Sequence, residues 1–81
     1  MVGQDSRLHA YKTKGGEPLT MGMKIYYKGD ILFILGMIRS KGLWYVKASS
    51  IPDSRYGRHL DRWHIANSIV LNEHNEWLYN Q

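Results

Sequence analysis

The sequence predicts a small, mainly β domain of about five strands, and three stretches predict it. "KIYYKGD" (24–30) alternates, with Ile25 and Tyr27 on one face and Lys24, Tyr26 and Lys28 on the other, and ends in the turn pair Gly29-Asp30. "ILFILGMIR" (31–39) is a continuous apolar run of strand length, rich in β-branched and aromatic residues, and Gly36 within it marks a bulge or bend. "LWYVKAS" (43–49) follows the tight "SKG" reversal and is again aromatic and β-branched. These three strands form a meander over residues 24–49, and Asp30 and Arg39 flank its apolar strand as charges that discourage aggregation.

The remaining segments follow in order. Residues 1–20 have neither helical nor alternating period and contain a Gly-Gly pair and a proline, so they read as a flexible arm, with the compact domain over 21–81. After Ser50, a proline turn leads to Asp53 or Ser54 as the cap of a short helix. In that helix Tyr56, Leu60 and Trp63 share one face, and Arg55, Arg58 and Arg62 another. Gly57 weakens it, and a long ordered loop is the alternative. "HIANSIVL" (64–71) reads as a fourth strand, and "NEHN" (72–75) as a turn into a short fifth, "EWLYN". The competing reading of the end is a helix with Val70, His74, Trp77 and Leu78 on one side.

Length and composition exclude several classes. At 81 residues the chain is one domain, without room for a deep catalytic cleft. It has no cysteine, so packing alone must hold it and thiolate chemistry is absent. The polar first twenty residues lack a secretory apolar core, and "ILFILGMI" is far shorter than the roughly 20 residues that span a bilayer, which reads as a soluble cytoplasmic protein with no membrane partner. The net charge of +4 is uneven. Residues 39–64 carry six Lys or Arg against two Asp, whereas residues 65–81 carry Glu73 and Glu76 and no Lys or Arg. A focused positive patch attracts polyanions or acidic protein surfaces.

That patch centres on "SRYGRHLDRWH" (54–64). Arginine binds phosphate in bidentate fashion and aromatic rings stack on bases, so Arg55, Tyr56, Arg58, His59, Arg62 and Trp63 read as a nucleic-acid surface, with Arg39, Lys41, Trp44 and Lys47 beside it. The bland reading is a solvated basic loop whose Leu60 and Trp63 plug the end of the domain, with Asp61 paired to an arginine. Tyr26, Trp44 and Trp77 are the other rings expected at the surface. Arginine and exposed aromatics are equally the residues that dominate protein interfaces. His59 and His64 lie five apart, off a shared helical face, and no cysteine or Glu-x-x-His motif supports them, so no metal or other cofactor is expected. Asp61 with His59 or His64, and Ser49, Ser50 and Ser54, are the candidates for catalysis, but no nucleophile elbow or phosphate-binding glycine loop accompanies them and no enzyme is expected.

"GMKIYYKGDILFILGMIRSKGLWYVKAS", followed after an insertion by "WHIANSIVL", resembles SH3-like small barrels of the KOW and Tudor kind over about residues 22–80. Those barrels run as a strand, a glycine-bearing turn, a long bent second strand, a hairpin into a third, and a fourth strand leading to a short last one. The segment between the third and fourth strands here is longer than such barrels usually carry. The resemblance implies binding of nucleic acid, peptides or proteins, as in ribosomal, transcriptional, phage or plasmid proteins, and fold alone does not choose among them. The expectation is a non-enzymatic DNA- or RNA-binding regulator or accessory factor. The alternative is a protein-interaction module, such as a phage-encoded inhibitor docking on an acidic site of a host enzyme. An exposed strand edge leaves a homodimer open.

Overall fold

Two hairpins organise the chain in the computed structural model, which describes residues 6–77. β1 (Lys24–Tyr27), β2 (Asp30–Ser40) and β3 (Leu43–Ser49) form the expected antiparallel meander. Each reversal is two residues long, Lys28-Gly29 and Lys41-Gly42, and all four residues have positive φ. That backbone follows the right-handed twist of the flanking strands. Asp30 therefore begins β2 rather than ending the turn. Ile25, Tyr27, Leu32, Ile34, Val46 and Ala48 point into the core, as their alternation requires. The pairing of β2 with β3 shifts register between Ile34 and Gly36, where Gly36 adopts φ 136°, so the expected bend is present.

β4 (Arg58–Leu60) pairs with β3, and β5 (Ile69–Val70) pairs with β1, giving one five-stranded sheet in the order β4-β3-β2-β1-β5. The protein is mainly β with little helix. β4 and β5 are opposite edges of the sheet and are not paired with each other. Residues 61–68 carry the chain from one edge to the other through α1 (Arg62–Ala66), whose Ile65 is fully buried in the core. No helix of the described residues is long and apolar enough to cross a membrane.

Three sequence expectations are corrected here. First, the described part of the supposed arm, residues 6–20, is packed. Ser6–Ala10 is a 3-10 helix, and Leu8, Tyr11 and Leu19 join the core cluster. A domain of this size has few apolar side chains, and burying two leucines and a tyrosine outweighs the entropy of ordering the segment. Lys12 bridges Pro18, and the Lys14 amide donates to the Ser68 carbonyl at 2.8 Å, which ties this hairpin to the β5 edge. Residues 1–5 lie outside the described part.

Second, no helix covers residues 53–60. Gly57 brings the chain so close to β3 that a Cβ there would lie 2.7 Å from the Ala48 carbonyl oxygen. β4 follows at once. Leu60 is buried from that strand while Tyr56 and Trp63 are exposed, so they share no face.

Third, "HIANSIVL" is not one strand. His64–Ala66 complete α1, Asn67 caps it, and only Ile69 and Val70 pair with β1, as Tyr26↔Ile69 and Ile25↔Val70. The Ser68 hydroxyl and amide both donate to the Ile65 carbonyl and close the helix end. The expected turn at 72–75 is present, with Asn72 Oδ1 accepting from the His74 and Glu76 amides. Trp77 then bridges Leu71, and the rest of "EWLYN" lies outside the described residues.

Candidate functional site

Arg39 and Trp44 are direct cross-strand partners at the free end of the β2–β3 hairpin. Trp44 is in phase with Val46 and Ala48, but by this point the strand has run past the core, and 40% of the residue is exposed. The Arg39 guanidinium lies 5.9 Å from the Trp44 ring centroid, and that of Arg7, from the 3-10 helix, lies 3.9 Å from it. Arg7, Tyr11, Met37, Trp44 and Arg62 line one cleft beside these rings.

Arg62 is placed by a helix cap. Asp61 is the N-cap of α1, accepting the His64 amide at 3.0 Å. The first residue of the helix is then Arg62, whose Nη1 donates to the Ala10 carbonyl at 3.2 Å while its guanidinium lies 4.9 Å from the Tyr11 ring centroid. Trp63 comes next and is 59% exposed. Its indole meets the His64 ring edge-on, and the Lys28 ammonium lies 5.7 Å from its centroid. A second cleft of about 400 Å³ joins Tyr11, Leu43, Trp44, Tyr45, Arg62 and Trp63, together with Asp61. Cations and rings thus form a continuous run, Lys28, Trp63, Arg62, Tyr11, Arg7, Trp44 and Arg39, drawn from four parts of the chain.

Arg39 and Arg62 supply positive charge to this run. Among the described residues, neither Arg39 nor Arg62 has a carboxylate within 4.0 Å. Among the described residues, Asp61 is the one acid that lines either cleft. The His64 backbone N–H holds its carboxyl below the usual aspartate range, and the His64 ring, with Nδ1 2.6 Å from Oδ1, adds to this. A planar guanidinium beside a ring can offer its N–H edge to an oxyanion in bidentate fashion, and Arg62 does so with the donors it does not spend on the Ala10 carbonyl.

The structure divides the residues singled out in the sequence. It brings Arg39, Trp44, Arg62 and Trp63 together. Lys41 occupies the hairpin turn next to them and is exposed. Lys47, Arg55, Tyr56 and Arg58 belong to another part of the surface. The Lys47 Nζ donates to the Arg55 carbonyl at 2.7 Å and so pins the 50–57 loop to β3, and Arg58 pairs with Asp30 at 2.8 Å. Tyr56 is 78% exposed beside a groove that shares no residue with the two clefts above. His59 stacks on Tyr45 at 5.8 Å. Of the other rings expected at the surface, Tyr26 is exposed and Trp77 half-buried.

Sequence reasoning missed Tyr11, Lys28 and Leu43, and it weighed Arg7 only with Lys12 and Lys14 as possible help from a flexible arm. The i, i+3 spacing of Leu8 and Tyr11, which suits a 3-10 helix, is the one signal that points to Arg7 and Tyr11. The catalytic candidates have structural roles. Asp61 and His64 form the helix cap, the Ser49 hydroxyl accepts from the Ile51 amide, and the Ser54 hydroxyl accepts from the Tyr56 amide. Among the described residues, no three of His, Asp or Glu converge on a point that could hold a metal ion.

Comparisons with known protein families, with curated proteins and with solved structures find no match for this chain. What the site does must follow from its own residues.

Proposed function

We propose that the chain is a non-enzymatic nucleic-acid-binding protein, a regulator or accessory factor, whose fold is an SH3-like small barrel left open between β4 and β5. The order of parts supports the fold: a first strand, a glycine-bearing turn, a long second strand bent at Gly36, a hairpin, a short fourth strand, one turn of helix and a short fifth strand. Curvature supports it too. In a flat sheet, two strand gaps and four residues along the strand put positions on β4 and β2 about 16 Å apart. Here Arg58 on β4 meets Asp30 at 2.8 Å, although Ala48 links Arg58 in register to Ile34, four positions along β2 from Asp30.

The observation that carries the function is the run of cations and rings around Arg39, Trp44, Arg62 and Trp63. Phosphate contacts made by such cations release counterions, so affinity falls with salt at a log–log slope of about −0.7 to −0.9 per phosphate neutralised. The test is fluorescence anisotropy of labelled DNA and RNA oligonucleotides with the wild type and the Arg39→Gln/Arg62→Gln variant, across a salt series. The wild type binds with a steep salt dependence, and the folded double variant binds more weakly with a shallower slope. Binding that ignores salt, or a double variant as tight as wild type, contradicts the proposal. So does one tight, salt-insensitive protein complex in place of oligonucleotide binding.

A further inference from the structure

Resting on the nucleic-acid reading above, we infer that the site takes single-stranded nucleic acid, with unpaired bases on Trp63 and Trp44 and the backbone on Arg62 and Arg39. Four observations separate this ligand from a duplex. The exposed apolar surface at the site is that of the Trp63 and Trp44 rings, with Leu43 beside them. Trp63 is the most exposed tryptophan of the described residues, and Trp44 is also open, each within 6 Å of a cation. Inside a duplex each base already stacks on its neighbours, so an outward indole gains little there, whereas an unpaired base places its whole face on the ring.

The shape of the site agrees. The rings and Arg62 border a shallow, open cleft of about 400 Å³. A base turned out of a flexible strand enters a concavity, whereas a duplex presents convex phosphate ridges. The site also lacks a long reading element. α1 has five residues and a length of about 7.5 Å, and its first turn is held against the molecule by the Asp61 cap and by Arg62 on the Ala10 carbonyl. A helix this short and this anchored does not lie along a major groove about 12 Å wide.

The placing of cations beside rings is the remaining point. Along the surface, cations flank the exposed rings, Lys28 and Arg62 beside Trp63 and Arg7 and Arg39 beside Trp44, with buried Tyr11 backing Arg62. A single strand likewise offers phosphates beside its bases, and its flexibility lets both reach one curved face. Asp61, the carboxylate in the cleft, disfavours a second phosphate ridge at that point.

The experiment is a competition titration of the full chain. A labelled single-stranded 12-mer is displaced by the same unlabelled strand or by its duplex, for wild type, Trp63→Ala, Trp63→Phe and Arg62→Gln, while tryptophan emission is recorded. The single strand competes at least about tenfold better than the duplex and quenches tryptophan emission. Trp63→Ala weakens single-strand binding about five- to 100-fold and leaves duplex binding unchanged, and Trp63→Phe restores most of the loss. Trp63 is exposed, so its replacement leaves the fold intact, which circular dichroism confirms. A duplex that competes equally, or a Trp63→Ala variant with unchanged single-strand affinity, overturns the inference and leaves the nucleic-acid reading standing. Absence of binding to every oligonucleotide at low salt overturns both.

Discussion

Asp61 ends one element and begins the next with a single carboxylate. Oδ1 accepts the His64 amide at 3.0 Å and lies 2.6 Å from the His64 ring Nδ1, while the His64 ring in turn faces the Asp61 amide. Removing such a cap costs about 1 kcal/mol, so Asp61→Ala unfolds at lower urea than wild type by that amount. The pH dependence has a definite sign. Because the folded-state carboxyl titrates below its ordinary value, the charge stabilises the fold above the unfolded aspartate value of about 4, and the gain disappears as pH falls through the lower folded value. Wild type and Asp61→Asn therefore differ in Tm by a constant amount at neutral pH, and the difference closes below about pH 4. A gap that widens on acidification contradicts the cap as described. The neighbouring Arg58–Asp30 pair is partly exposed on both sides and contributes little to stability.

At the scale of elements, the 3-10 helix and β4 carry the most specific predictions. Leu8 is fully buried in the core, so Leu8→Ala lowers unfolding free energy by about 2–5 kcal/mol in chemical denaturation. A flexible arm would show no change. Gly57→Ala forces a Cβ against the Ala48 carbonyl and costs about 1–3 kcal/mol, with faster hydrogen exchange in β4 than in β1. The meander was legible because strand alternation and two-residue turns are local, and 24–49 obeys both. The 6–20 segment was not legible, because Leu8, Tyr11 and Leu19 show their purpose only against a core built from distant strands. Residues 53–71 misled for a related reason. The spacing of Tyr56, Leu60 and Trp63 fits a helix, but Gly57 lies on the β3 backbone, a contact no local pattern reveals. Asp61 with His64 three residues on is a cap signature that the histidines, weighed as metal or catalytic groups, concealed.

For the whole molecule, the question is where its positive charge converges. The composition of residues 39–64 grouped Arg39, Trp44, Arg62 and Trp63, which folding brings near one another, with Arg55, Tyr56 and Arg58, which folding turns to another part of the surface. It also omitted Arg7 and Lys28, because their nearness to Trp44 and Trp63 is made by tertiary packing and not by sequence distance. The proposed polyanion site is therefore defined by location, where the 3-10 helix, the hairpin end and α1 meet, and not along the 50–57 loop. An NMR titration of the isotope-labelled chain with a short single-stranded oligonucleotide tests this most directly, read at the tryptophan indole N–H, arginine Nε–H and backbone amide signals. The account predicts saturable, salt-sensitive shifts at Trp44, Trp63, Arg39 and Arg62, with Arg55 and Tyr56 nearly still. Shifts confined to residues 50–58, or none at all at low salt, contradict it.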